Sequence, residues 1–203
     1  DEEESQDEEE HFLHSAEETE EEHNEHVHTM DEHVWTSPGH AIDIVEHITE
    51  ELCSLDPEHG QTYKDNAEAY ETQLKELDTA FRDVVKNAKN HTLLFGDRFP
   101  FRYFAAEYGL EYYAAFSGCA SDTEPSAATM AFLSNKVKEE HIPVVLKMEL
   151  SNDNIANAIA EACDVPVKVF YSSHNISAKQ FEAGVTYLDL MKENVETLKE
   201  ALR

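Results

Sequence analysis

The chain has 203 residues and a formal net charge of -29, from 15 Lys and Arg against 44 Asp and Glu. Such a balance leaves no basic face for a phosphate backbone, which speaks against a nucleic-acid partner and fits a cation partner. No apolar run is long enough to cross a bilayer, and the three cysteines, Cys53, Cys119 and Cys163, lack the CxxC spacing of a thiolate metal site and are odd in number.

The acidity is uneven. Residues 1–63 hold no Lys or Arg and 22 Asp or Glu, whereas residues 64–203 carry 15 basic and 22 acidic residues. The chain opens inside an acidic tract with no initiating Met and no signal peptide. It therefore reads as a fragment or a processed chain whose upstream part is missing. Residues 1–32 are low in complexity and almost free of apolar side chains, and are expected to be disordered without metal.

The composition changes at His33-Val34-Trp35-Thr36-Ser37-Pro38. Thr36 or Ser37 ahead of Pro38 is a helix start, and the pattern predicts a helix from about Gly39 to Leu52 with Ile42, Val45 and Ile48 on one face. Asp56-Pro57-Glu58 opens a second helix. Its apolar positions, Tyr63, Ala67, Tyr70, Leu74, Leu77, Phe81, Val84 and Ala88, step by fours and threes. At ~1.5 Å per residue it forms a rod of about 45 Å. A coiled-coil arm is one reading; an interdomain backbone suits a rod that leads straight into an α/β region.

From residue 92 the pattern becomes β/α. Strands are predicted over Thr92–Gly96, Tyr112–Phe116, Val144–Met148 and Val167–Tyr171, with helices at about 100–108, 126–140, 152–163 and 178–202. Short apolar strands alternating with helices predict a small parallel sheet covered on both faces, hence an α/β fold.

Ligands of open α/β sheets bind at the carboxyl ends of the strands. Those ends are Asp97-Arg98, Glu149 and Ser172-Ser173-His174-Asn175. His174 and Glu149 on one rim are plausible ligands of a borderline metal such as zinc; taken alone, a histidine after a strand is more often an ordinary loop residue. Eight of the twelve histidines lie between residues 11 and 47, and His11, His14, His23, His26 and His28 are interleaved with carboxylates. Short tracts of this composition bind metal; the plainer alternative is a solvated acidic tail. HExxH, HxxEH, GxSxG, GxGxxG and the phosphate-loop pattern are all absent, so no enzyme class has a motif.

With these residues in view, the chain resembles the zinc/manganese class of ABC-transporter solute-binding proteins. An acidic His-rich loop precedes Asp31-Glu32-His33-Val34-Trp35-Thr36-Ser37-Pro38, which looks like the family's D-P-H-x-W-x-x-P segment. Tyr103 to Leu110 is similar to Y-x-x-x-x-Y-G-L, and Glu124-Pro125-Ser126 to E-P-S. Ile142–Glu149 looks like the strand ending in Glu, and Ala183 through Asn194 like the final helix.

The resemblance implies a two-lobe receptor with metal held between the lobes, of which this chain supplies the back part. Residues 1–32 are then the His-rich loop, 33–55 the end of the N-terminal lobe, 56–91 the long interlobe helix and 92–203 the C-terminal α/β lobe. It also implies His33 as a metal ligand and places His174 where relatives carry Asp or Glu. Arg98 occupies the usual third His position and cannot coordinate a cation; Glu149 or Asp97 would complete the shell. The implied function is extracytoplasmic capture of Zn(II), with manganese less favoured, by a monomeric periplasmic or surface lipoprotein that serves a metal ABC permease. The His-rich loop would be an accessory collector whose affinity falls below about pH 6 as imidazole protonates. A metal-buffering or adhesive surface protein without a transport role is the alternative.

Overall fold

The computed structural model describes residues 31–116 and 125–203. A 3-10 turn, Val34–Thr36, leads into helix α1 (Pro38–Leu55). Pro38 stands in its first turn, and the Ser37 hydroxyl caps it by accepting the His40 N–H at 3.4 Å. A second 3-10 turn, Pro57–His59, precedes helix α2 (Gly60–Lys86). Its 27 residues make a rod of about 40 Å. Leu74, Leu77 and Phe81 form its buried stripe.

The sheet is built from β1 (Thr92–Phe95), β2 (Glu111–Ala114), β3 (Val145–Lys147) and β4 (Val167–Val169), all parallel, in the order β2-β1-β3-β4. Between them run α3 (Arg102–Tyr108), α4 (Ala127–Glu139) and α5 (Asn154–Cys163); α6 (Ala178–Glu182) and α7 (Tyr187–Ala201) follow. Alternation along the central strands assigns the two faces. Leu93, Phe95, Val144 and Leu146 join a core with α1, α2, α3 and α7. Leu94 and Val145 join a second core with α4 and α5. The parallel sheet covered on both faces is therefore present as expected.

Three details differ from the sequence reading. The expected helix over 178–202 is two helices, because the chain turns at Gly184 (φ 69°) and restarts at a capping box between Thr186 and Asp189. Ile48, expected on one face with Ile42 and Val45, is 54% exposed, while those two pack against the core. The second strand begins one residue earlier than expected and stops at Ala114, in register with Phe95.

The end of β1 comes very close to α5. A Cβ on Gly96 would lie 2.4 Å from the Ala156 Cα, so only glycine admits this approach. The strand order reverses between β1 and β3, which makes their carboxyl ends the switch point of the sheet. Asp97, 6% exposed, bridges the two ends: its carboxylate accepts the Met148 N–H at 2.9 Å and the Arg98 N–H at 2.8 Å.

Candidate metal centre

A cavity of about 210 Å³ opens at this switch point, lined by His33, Arg98, Pro100, Met148, Glu149, Ser172, His174 and Asn175. A larger one, about 370 Å³, runs along the outer side of α1 between Val34, Ile44, Ile48 and Tyr103. Its walls are mainly apolar and it lies away from the carboxyl ends of the strands, so the smaller cavity is the candidate site.

Two imidazoles meet there. The ring centroids of His33 and His174 are 5.5 Å apart, with Trp35 packed against both, 5.3 Å from His33 and 6.0 Å from His174. The Asp31 carboxylate lies 2.8 Å from His33 Nδ1 and also accepts the His33 N–H at 3.0 Å. An acceptor at Nδ1 holds the proton of neutral imidazole there, which puts the lone pair on Nε2. The Tyr103 hydroxyl anchors this segment by donating to the Asp31 carbonyl at 3.0 Å.

The His174 loop is held from below. Glu149 accepts three hydrogen bonds: from Ser172 N at 2.8 Å, Ser172 Oγ at 2.6 Å and His174 N at 3.2 Å. Asn194, fully buried on α7, grips the neighbouring Tyr171 by both backbone groups, at 2.7 and 2.8 Å. From above, the Trp35 indole N–H donates to the Ser172 carbonyl at 2.9 Å, and the Tyr187 hydroxyl donates to the Trp35 carbonyl at 2.7 Å. Ser173 reaches His174 through a left-handed turn (φ 58°), a costly conformation for serine that the surrounding bonds enforce.

Chemically this is a pair of imidazoles beside a carboxylate, a donor set suited to a borderline divalent cation. Arg98 lines the same cavity with its guanidinium 6.0 Å from the centre of the Phe116 ring. Among the described residues no group of three or more His, Cys, Asp or Glu side chains is spaced to hold an ion. Two imidazoles fill half of a tetrahedral shell.

A family model, the zinc-uptake complex component A, periplasmic (ZnuA), matches residues 2–201. The chain belongs to the ZnuA family.

Among its relatives is the high-affinity zinc uptake system protein ZnuA of Bacillus subtilis (strain 168), 32% identical over 175 residues, which are 86% of this chain and 54% of that protein. The zinc-binding lipoprotein AdcA of Streptococcus pneumoniae (strain R6) is 34% identical over 175 residues, 86% of this chain and 34% of that one. The Zn(II)-bound ZnuA-like domain of Streptococcus pneumoniae AdcA superposes with a TM-score of 0.72 at 33% identity, covering 85% of this chain and 64% of that domain. The chain thus spans about half the length of the first relative and a third of the second.

His33, His174 and Glu149, singled out from the sequence, all line the one cavity. His11, His14, His23, His26 and His28 lie outside the described residues, as do Glu124 of the E-P-S match and Cys119. Sequence reasoning passed over Trp35, Ser172, Tyr187 and Asn194 as functional residues. Signals were present: Trp35 is the single tryptophan and falls on the D-P-H-x-W match, Ser172 lies at a strand end, and Tyr187 and Asn194 fall within the stretch similar to the family's final helix.

Proposed function

We propose that this chain is part of an extracytoplasmic solute-binding protein that captures Zn(II) and passes it to a metal ABC importer. His33 Nε2 and a ring nitrogen of His174 donate to the ion. Glu149 places its negative charge beside it while holding the His174 loop. The remaining coordination positions fall to ligands outside the described residues or to water. The observation that carries this reading is the approach of two imidazoles to 5.5 Å in one cavity at the sheet's switch point. Membership of the ZnuA family supports zinc as the cargo, a binding protein in place of an enzyme, and a permease with its ATPase as partners. A monomeric receptor, with His11, His14, His23, His26 and His28 as an accessory collector, completes it.

The test is zinc titration against a competing chromophoric chelator. It is done in a chain whose five tract histidines are changed to Ser, then with His33→Ala or His174→Ala added. Each added substitution is expected to weaken zinc binding at least tenfold. Equal affinity in all three proteins would remove the site. Restored growth of zinc-starved cells by the whole protein, lost with the same substitutions, separates import from the metal-buffering or adhesive alternative.

A further inference from the structure

The two candidate ligands come from segments far apart in the chain, and neither lies on a long helix or in a strand. His33 sits in the turn before Val34–Thr36, and His174 is an exposed residue of the loop after β4. Loops of this kind place metal ligands poorly unless a neighbouring shell locks them. Asp31 settles the tautomer of His33. Glu149 and Asn194 hold the His174 loop. Among the hydrogen bonds of the described residues, the one that ties the His33 segment to this loop is Trp35 Nε1–H to the Ser172 carbonyl, 2.9 Å long across 137 positions of sequence.

We propose that Trp35 is the positioning residue of this site, its indole N–H fixing the His33 segment to the His174 loop so that the imidazole pair is assembled before the ion arrives. The inference rests on the zinc-capture reading and deepens it. Both ends of the bond are stiff. Ser172 is 1% exposed, with its N–H and hydroxyl both bound to Glu149. The Trp35 carbonyl is held by the hydroxyl of Tyr187, at the start of α7. The indole also fills the space beside both imidazoles. A phenyl ring there would lose contact as well as the N–H; an isostere that lacks only the N–H isolates the bond. Strain at Ser173 fits the same picture, because left-handed serine persists only where surrounding bonds over-determine it.

Trp35 is the only tryptophan, so one analogue can replace it throughout the chain without touching any other position. The experiment uses β-(3-benzothienyl)alanine, which keeps the bicyclic shape and replaces N–H by sulfur. Three quantities are read in the chain with Ser at the five tract histidines: zinc affinity, the visible spectrum of bound Co(II) and the melting temperature. The analogue protein is expected to bind zinc about 10- to 100-fold more weakly, as other losses of supporting-shell bonds do. Its Co(II) bands are expected to shift, and its melting temperature to stay within a few degrees of the parent. Tyr187→Phe, which frees the other end of Trp35, is expected to change affinity in the same direction by less. An unaltered affinity and Co(II) spectrum in both proteins would overturn the positioning role while leaving zinc capture intact. Parent protein whose affinity ignores both His33→Ala and His174→Ala would overturn the capture reading, and this inference with it.

Discussion

Asp97, directly after β1 and its Gly96, accepts the Met148 N–H that follows β3, at 2.9 Å and almost out of contact with solvent. One carboxylate thereby joins the two strands whose separation makes the cavity, and its second oxygen caps the Arg98 N–H. Asp97→Asn keeps the size but has a single acceptor oxygen, so one of the two partly buried N–H groups loses its acceptor. The expected loss is about 1–3 kcal/mol of stability. Urea unfolding read by circular dichroism checks it; a midpoint equal to the parent's would show that the bond contributes nothing.

Trp35 is a built-in reporter. Its ring lies 5.3 Å from His33 and 6.0 Å from His174, so an ion at either imidazole changes the surroundings of the indole. Zinc is expected to alter tryptophan emission saturably, and the response to vanish in the His33→Ala, His174→Ala double variant. A response that persists in the double variant would place the bound ion elsewhere.

Gly96→Ala is expected to be severe, because the new Cβ meets the Ala156 backbone at 2.4 Å. Overpacking of this kind costs about 1–3 kcal/mol or more. Removing the Ala156 side chain does not rescue it, since the nearest contact is the Cα, which any residue retains. A thermal melt of Gly96→Ala and of the double change Gly96→Ala, Ala156→Gly tests both halves; full rescue by the second change would contradict the backbone contact.

Asn194→Leu removes the two bonds that hold Tyr171 and leaves a backbone N–H and a C=O without their partners. Each orphaned group costs about 1–3 kcal/mol. Because Tyr171 precedes Ser172, the same change is expected to weaken zinc binding. Hydrogen exchange of the 171–174 amides should accelerate; unchanged protection would show that Glu149 alone holds the loop.

Alkali should unfold the chain early. Burial pushes the phenols of Tyr70, Tyr108, Tyr113, Tyr171 and Tyr187 above their ordinary value. The ordinary value is about 10. Above it an unfolded phenol loses its proton while the folded one keeps it. The folded state then binds more protons, so stability is complete below about pH 10 and falls as pH rises further. Urea midpoints measured from pH 8 to 11.5 should fall above pH 10, less steeply in Tyr187→Phe. A flat profile would mean that these phenols titrate alike in both states.

Much was legible from local pattern. Short apolar runs around β1, β3 and β4 identified the parallel strands to within a residue or two; β1 is buried at all four positions, whereas β3 and the edge strand β4 each carry a lysine, Lys147 and Lys168. The four-and-three spacing from Tyr63 to Val84 identified α2. The break at Gly184 to Thr186 was present as a T-x-x-D pair but was hidden by apolar periodicity that continues across it. Ile48 follows that periodicity too, yet faces outward, since spacing names a helical face without saying what lies opposite.

The sequence by itself determined the acidic, histidine-rich character of the chain, its β/α order and the motif that marks His33. Each of these is a property of residues close together in the chain. The family resemblance implied that His33 and His174 serve one ion; the tertiary structure alone decided how they share a cavity, that Glu149 accepts three hydrogen bonds from the loop beside it, and that Trp35 reaches Ser172. These depend on distances between segments brought together by the sheet order and by α7, and hydrogen-bond partners so remote leave no periodic trace in the sequence.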